Sequence, residues 1–289
     1  MASRCEVRLA ASDEAAARTL AQAAIDEVKR IEFKYSRYRA DSIVSRINAA
    51  AGLDWIALDA ETTALFAYAD ALFSASAGLF DITSGVLRRA WNFRQAKLPT
   101  DDQVAPLLAL IGWQNVERDQ GRIRLPLAGM EVDFGGFGKE YAADRAASIL
   151  IEQGLTGGYV NLGGDLRIIG PQPDGRPWSI GIQDPRKPDQ LVASIPVSSG
   201  ALATSGDYER FFEIDGKRYC HIMDPRNGKP VRHFRSVSVL APLAIAAGSC
   251  STIAMLKQAD GMAFLEASGT PFLTVDGHGN VHRKDISAN

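Results

Sequence analysis

The stretch ATSGDYERFFEIDGKRYCHIMDPRNGKPV, residues 203–231, carries the strongest structural signal in the sequence. It predicts a β-hairpin with strands at 211–214 and 217–220, because the Asp-Gly pair between them is the favoured two-residue turn with positive φ at both positions. The second strand runs directly into His221. The sequence therefore predicts a histidine that is held at the end of a strand.

The same stretch places charged side chains around that histidine. Asp207 and Arg210 precede the hairpin, and Asp224 follows shortly after His221. A histidine beside an aspartate suits proton transfer near neutral pH, so His221 is a candidate general base and Asp224 a candidate for orienting it. Asp207 and Arg210 are predicted to form a structural ion pair. The alternative for His221 is an ordinary surface or core histidine.

Two glycine motifs are candidates for binding a phosphate ligand. Residues 133–139 read DFGGFGK, in which adjacent glycines before a predicted helix let the backbone approach a ligand, and a helix N-terminus favours phosphate. Lys139 adds a positive charge that suits a pyrophosphate. Residues 161–165, NLGGD, also run from a strand into a glycine pair. A packing turn and a structural bend are the respective alternatives.

The composition is that of an ordinary globular protein and disfavours several classes of partner. The 289 residues have a net charge of −2, with 46% hydrophobic and 23% charged residues, so neither nucleic acid nor an acidic membrane is an expected partner. Three cysteines are too few and too scattered for a disulfide framework or a zinc site. No apolar run is long enough to span a membrane, and no signal peptide or lipobox is visible. A cytoplasmic location is therefore expected, unless a leader has been removed.

Helix and strand signals alternate irregularly, which predicts an α+β fold with mixed or antiparallel sheets flanked by helices. Residues 1–289 are expected to form one domain, whether built as a single body or as two interleaved lobes. The predicted helices begin after Ser12 and cover 65–76, 101–111, 139–153 and 245–258, and predicted strands include 236–240 and 272–275. Residues 171–178 are predicted to be a loop, because prolines and an Asp-Gly pair cannot sustain a strand there.

Beside residues 203–231, four further blocks resemble motifs of the ApbE family, the FAD:protein FMN transferases. They are SRYRADSIVSRIN (36–48), FDITSGVLRRAW (80–91), VDFGGFGKEYAADRA (132–146) and YVNLGGDLRIIG (159–170). The resemblance extends over nearly the whole chain. It implies a T-fold-like core and a magnesium-dependent transfer of FMN from FAD to a threonine or serine hydroxyl of an acceptor flavoprotein, with release of AMP.

The resemblance also implies which residues meet FAD and the metal ion. FAD is expected to contact Met1, Tyr38, Phe80, Asp81, Asp133, Lys139, His221 and Ile222. Magnesium is expected at Thr252 and at a backbone oxygen of the glycine turn, at Gly136 or Gly138. Tyr38 and Phe80 are the candidates for contact with a flavin or adenine ring, and either could instead be a core residue.

One block departs from the family pattern. Residues 241–252 read APLAIAAGSCST, which retains Thr252 but has Gly248 where the family has a metal-binding aspartate. Magnesium prefers hard oxygen ligands that include one or two carboxylates, so this loss should weaken the site. Glu140 stands where the family usually has glycine, and we hypothesise that it supplies the missing carboxylate. The alternative is an ordinary acidic residue in the first turn of a helix.

The acceptor implied by the resemblance is a separate protein with the segment D-x-x-[ST]-G-A-[ST]. The most similar string in this chain, DITSGVL at 81–87, ends in Val-Leu and lacks the acceptor hydroxyl. Two other functions stay open at this point. One is an FAD-binding carrier that has lost transferase activity with its metal aspartate. The other is an FAD pyrophosphatase that uses water as acceptor and gives FMN and AMP.

Overall fold

Residues 4–286 are described by a computed structural model of the chain. Its helices are α1 (Glu14–Tyr35), α2 (Ile43–Ala49), α3 (Ala60–Ala75), α4 (Asp101–Leu108), α5 (Gly138–Glu152), α6 (Ala244–Lys257) and α7 (Gly261–Ser268). Its strands are β1 (Cys5–Leu9), β2 (Ile56–Ala57), β3 (Glu117–Asp119), β4 (Arg122–Arg124), β5 (Gly158–Leu162), β6 (Asp165–Gly170), β7 (Trp178–Asp184), β8 (Lys187–Val197), β9 (Gly200–Gly206), β10 (Phe211–Ile214), β11 (Lys217–Cys220), β12 (Met223–Asp224), β13 (Lys229–Pro230), β14 (Phe234–Ala241), β15 (Phe272–Asp276) and β16 (Val281–Lys284).

A seven-stranded sheet with the order β1-β5-β6-β9-β14-β15-β16 forms the centre of the molecule. Every neighbouring pair in it is antiparallel. Helices α5 and α6 pack against β5, β6, β9 and β14, and α1 packs on α5. The prediction of an α+β fold with antiparallel sheets and flanking helices is therefore confirmed.

The two faces of the central sheet belong to different hydrophobic clusters. The neighbours Phe272 and Leu273 on β15 point to opposite faces, and each is buried in a separate cluster. Phe272 lies in the large cluster that contains the buried faces of α1, α5 and α6. Leu273 lies in the cluster formed with the β7–β8 hairpin, which includes Trp178 and Ile180. The sheet is thus covered by helices on one face and by a hairpin on the other.

The β10–β11 hairpin has the predicted bounds. Ile214 pairs with Lys217, and the turn residues Asp215 and Gly216 have φ values of 50° and 71°. Positive φ at both positions is the geometry that the Asp-Gly pair favours. The hairpin ends directly before His221, so the predicted placement of that histidine at a strand end is also confirmed.

The ends of the helices differ from the sequence prediction, most of all in α3, which begins at Ala60 and not at residue 65, and in α4, which ends at Leu108 and not at residue 111. Asp13, and not Ser12, is the N-cap of α1, because its carboxylate accepts a hydrogen bond from the Ala16 N–H at 2.9 Å. The two helices that matter for the site, α5 and α6, each begin one residue before the predicted position. In the part of the chain from residue 4 to residue 286, no helix combines the length and apolarity needed to cross a membrane.

Candidate active site

Aromatic core residues pack against the glycine turn, residues 134–138, that precedes α5. The N–H of Gly138 donates to the Phe134 carbonyl oxygen at 2.7 Å and closes the turn. A Cβ at Gly136 would lie 2.8 Å from Phe80 Cζ, so a larger residue could not occupy this position without a shift. Phe80 is 5% exposed and stacks on Phe137 with ring centroids 6.3 Å apart. Phe80 was a candidate either for contact with a flavin or adenine ring or for the core. The structure places it in the core, where it packs under the glycine turn.

The two glycine motifs meet through one ion pair. Lys139 Nζ lies 2.7 Å from Asp165 Oδ2, and Asp165 is 4% exposed. Desolvation opposes the charge of Lys139, but the carboxylates of Asp165 and Glu140 outweigh it and raise the pKa of Lys139. Lys139 is therefore a firmly charged ammonium at the N-terminus of α5, where phosphate binding is favoured.

Glu140 fills the space beside Gly248. A Cβ built on Gly248 would lie 2.5 Å from Glu140 Oε1, so the carboxylate occupies the room that a side chain at 248 would need. Glu140 is 6% exposed, and its Oε2 atom has no hydrogen-bond partner among the described residues. Burial, followed by the charge of Asp165, raises the pKa of Glu140. A buried carboxylate with a free oxygen differs from an ordinary acid in a helix first turn, and it suits a cation.

Thr252 lies one helical turn beyond Gly248, on the same face of α6. Its hydroxyl is 2.9 Å from the Ser205 hydroxyl on β9. Among the expected metal ligands, Glu140, Thr252 and the carbonyl oxygens of Gly136 and Gly138 are all hard oxygen donors, and Glu140 is the one carboxylate. Such donors fit a magnesium ion whose remaining ligands are substrate phosphates. They do not suit a site in which every ligand comes from the protein. Within residues 4–286, no group of three or more His, Cys, Asp or Glu residues is arranged to hold a metal.

His221 follows β11 with an exposed side chain, and its backbone N–H donates to the Arg210 carbonyl oxygen at 3.0 Å. Although the residue as a whole is exposed, the surrounding protein atoms desolvate the imidazole. This desolvation, together with the positive charges of Arg210 and Lys139, lowers the pKa of His221. The effect of Lys139 indicates that the end of β11 and the start of α5 face the same region. The imidazole is neutral near pH 7, which is the form required of a general base.

The two aspartates near His221 have partners that the sequence did not predict. Asp224 is 2% exposed, and its carboxylate accepts from the side chain and backbone N–H of Arg226 at 2.7–3.0 Å. It therefore fixes its own turn, and the described contacts do not include the expected bond to His221. Asp207 accepts two hydrogen bonds of 2.7 Å from Arg186. The predicted ion pair between Asp207 and Arg210 is wrong, because the carboxylate is turned toward the β7–β8 loop.

Arg37 connects Tyr38 to Asp133, the first residue of the DFGGFGK motif. The guanidinium of Arg37 forms a close ion pair with Asp133 and donates to the Tyr38 hydroxyl at 2.8 Å. Tyr38 is 76% exposed, so its ring is accessible to a ligand. The Asp133 carboxylate also accepts from the Gly135 N–H at 2.9 Å. Arg37 was missed by sequence reasoning, although it lies inside the first family-like block.

The remaining expected FAD contacts are less accessible. Asp81 is 6% exposed, and its carboxylate is engaged by the Thr83 N–H and hydroxyl and by the Trp113 N–H, at 2.6–3.0 Å. Burial raises the pKa of Asp81. Ile222 is half-buried, and its carbonyl oxygen accepts from the Val231 N–H at 3.0 Å. The bonds to Thr83 and Trp113 give Asp81 a structural role. Met1 lies outside the described residues.

The known proteins that this chain resembles all belong to one family. A profile described as the ApbE family matches residues 1–273. A protein of Vibrio cholerae named "FAD:protein FMN transferase" is 32% identical over 263 residues, which cover 88% of this chain and 78% of that protein. The protein of the same name from Escherichia coli K12 is 31% identical, and the match covers 75% of this chain and 65% of that protein. The prediction of a transferase family is thus supported by curated relatives.

Solved structures show the same relationship. The ApbE protein of Thermotoga maritima superposes with a TM-score of 0.88 at 34% identity, covering 97% of this chain and 93% of that one. The flavinyl transferase ApbE of Pseudomonas stutzeri gives a TM-score of 0.86 at 29% identity, with 99% and 92% covered. With the family profile extending over nearly the whole sequence, this chain belongs to the ApbE family.

Proposed function

We propose that this chain is a magnesium-dependent transferase that moves FMN from FAD to a threonine or serine hydroxyl of an acceptor flavoprotein and releases AMP. The whole chain would act as one domain, and the acceptor would carry the segment D-x-x-[ST]-G-A-[ST]. The observation that most supports this proposal is the buried Glu140 carboxylate, whose Oε1 atom lies beside Gly248 and whose Oε2 atom has no hydrogen-bond partner among the described residues. Its charge also contributes to the raised pKa of Lys139. The cytoplasmic location expected from the sequence stays a prediction.

The pyrophosphate of FAD would lie at the N-terminus of α5. There the backbone N–H groups and the Lys139 ammonium attract phosphate oxygens. Glu140, Thr252 and a carbonyl oxygen of Gly136 or Gly138 would hold magnesium, which neutralises phosphate charge when it is bound. Arg37 positions Tyr38, whose exposed ring is the candidate surface for a flavin or adenine ring.

The transfer step forms one bond and breaks one. The acceptor hydroxyl oxygen attacks the phosphorus of the FMN half, and the bond between that phosphorus and the bridging oxygen breaks, so that AMP leaves with that oxygen. His221 takes the proton of the hydroxyl as the new P–O bond forms. Such a step depends mainly on positioning and charge neutralisation, which explains why charged groups dominate the site.

The lowered pKa of His221 predicts the pH dependence of transfer. A general base works in its neutral form, and a pKa below 6.5 keeps the imidazole neutral into mildly acidic solution. We expect the acidic limb of the transfer rate to have its midpoint clearly below pH 6.5, measured at saturating FAD and metal. Arg210→Ala, which removes one of the neighbouring charges, should move that midpoint upward. A wild-type midpoint at or above 6.5 would contradict the role assigned to His221.

Intact mass spectrometry tests the proposed reaction. The protein is incubated with FAD, magnesium and an acceptor domain that carries D-x-x-[ST]-G-A-[ST], and AMP is measured in parallel. We expect the acceptor to gain the mass of one FMN, with one AMP released per adduct. An acceptor whose last hydroxyl residue is replaced by alanine is the control. FMN and AMP formed without any acceptor would favour the pyrophosphatase, and FAD bound but unchanged would favour the carrier.

A further inference from the structure

Three hydroxyl groups form a hydrogen-bonded chain behind the proposed metal ligand Thr252. The Ser205 hydroxyl on β9 lies 2.9 Å from the Thr252 hydroxyl and 2.8 Å from the Ser251 hydroxyl. Ser251 in turn donates to the Gly248 carbonyl oxygen at 3.0 Å. Ser251 is fully buried, at 0% exposed, so water does not replace any of its partners.

The donor in each of these three hydrogen bonds follows from the bond between Ser251 and Gly248. A carbonyl oxygen can only accept, so the single hydrogen of Ser251 points to Gly248. The contact between Ser205 and Ser251 then requires that Ser205 donates. Because Ser205 has now used its only hydrogen, the contact with Thr252 requires that Thr252 donates. Three hydrogens fill three bonds, and only one arrangement satisfies all of them.

This arrangement turns the Thr252 hydroxyl into a pure acceptor toward the rest of the site. Its hydrogen points back to β9, so the lone pairs of Oγ1 are left for another partner. Thr252 and Gly248 share one face of α6, and the Glu140 carboxylate fills the space at Gly248. An oxygen without a competing hydrogen, on the helix face that the Glu140 carboxylate packs against, is suited to a cation.

We propose that Ser205 and Ser251 are positioning residues that orient the Thr252 hydroxyl so that its oxygen faces a divalent cation held with Glu140. The proposal rests on the function proposed above and adds a second layer of residues to it. Partners of this kind fix the orientation of a metal ligand, and their loss commonly weakens metal binding by 10- to 100-fold. Neither serine needs to touch the cation or FAD for this role.

Ser249 provides a matched control on the same helix. It is 2% exposed, and its hydroxyl accepts from the Tyr68 hydroxyl at 3.1 Å. Replacing it with alanine therefore also removes a buried hydroxyl and a hydrogen bond from α6. It leaves the hydrogen-bonded chain from Ser251 to Thr252 intact. A difference between Ser249→Ala and Ser251→Ala would report on the orientation of Thr252 and not on general packing.

The test measures binding of Mn²⁺, as the probe for the cation, to the full chain with and without FAD. Free Mn²⁺ is quantified by electron paramagnetic resonance, and no acceptor is present. We expect Ser205→Ala and Ser251→Ala to weaken Mn²⁺ binding about 10-fold. Ser249→Ala should bind like the wild type, and Ser205→Thr, which keeps the hydroxyl, should restore binding. Thr252→Val marks the loss of the ligand itself.

The possible outcomes separate this proposal from the proposed function. If Ser251→Ala binds Mn²⁺ as well as Ser249→Ala does, while Thr252→Val loses it, the positioning role is overturned and the metal site stands. If the wild type transfers FMN but binds no Mn²⁺, the metal site and the positioning role both fall while the transferase stands. Should Ser251→Ala not fold, as judged by its thermal unfolding, Ser251→Cys replaces it, because a thiol is a weak donor of similar size.

Discussion

Moving the carboxylate from position 140 to position 248 is expected to preserve the metal site, whereas adding a second carboxylate at 248 should disrupt the protein. In Gly248→Asp alone, the new Cβ would lie 2.5 Å from Glu140 Oε1, and two buried acids would compete for one space. We expect a loss of about 2 kcal/mol in the free energy of unfolding, the order found when atoms are inserted into an already packed site. The double variant Glu140→Ala/Gly248→Asp should recover most of it, as measured by urea denaturation.

Metal affinity completes this double-mutant cycle. Glu140→Ala alone should lose Mn²⁺ binding, and the double variant should regain it, because one carboxylate again lies between α5 and α6. Alanine needs no new space at 140, since Glu140 already has a Cβ. The assignment of Glu140 as a ligand is wrong if Glu140→Ala keeps wild-type Mn²⁺ affinity. The claim that a carboxylate at 248 can take the place of the one at 140 is wrong if the double variant is no more stable than Gly248→Asp.

The sequence located this pair but could not establish that its members touch. The resemblance showed that Gly248 lacks an expected carboxylate and that Glu140 adds an unexpected one. Their contact depends on how α5 packs against α6, which is set by many buried residues on both helices. Local patterns predict which residues share a face of one helix, and they carry no information on which faces meet.

Local turn chemistry was the most reliable guide to the fold. The Asp-Gly pair predicted both strands of the β10–β11 hairpin, because positive φ at two successive positions is a local property. The β7–β8 hairpin was not predicted, although Trp178, Ile180 and Ile182 are buried and alternate with the exposed Ser179 and Gly181. This alternation has the period of a half-buried strand and was a readable signal. The edge strand β1 was missed as well, although Val7 and Leu9 alternate with the charged Glu6 and Arg8. Its pairing with β5, far along the chain, could not be read from any local pattern.

The partners of charged side chains were predicted least well. Nearness in sequence suggested that Asp224 would orient His221, but an aspartate that begins a turn bonds readily to backbone N–H groups just after it, as it does at Arg226. Asp207 instead bonds to Arg186 in a separate loop. Arg37 likewise reaches Asp133 across a large separation in sequence. Ion pairs between distant segments follow from the packed fold, and a single sequence does not encode them in any local pattern.

Loss of the imidazole of His221 is expected to cause the largest change in activity of any single substitution outside the phosphate and metal ligands. His221→Ala should reduce the rate of FMN transfer by about 10²- to 10⁴-fold, the usual contribution of a general base. FMN adduct and AMP should fall together, because the hydroxyl proton is removed in the step that breaks the pyrophosphate. The rates are measured by intact mass and AMP release at saturating FAD and acceptor. His233→Ala, also exposed, is the matched control.

Two further measurements separate a base from a residue that only binds FAD. The affinity for FAD, followed by flavin fluorescence, should change little in His221→Ala if the imidazole acts mainly on the acceptor hydroxyl. Added imidazole should restore part of the rate, because the side chain of His221 is exposed and its removal leaves a space open to solvent. That rescue should grow as rising pH neutralises the added imidazole. A variant that keeps its rate but loses FAD affinity would instead make His221 a binding residue, and the base would have to be sought elsewhere.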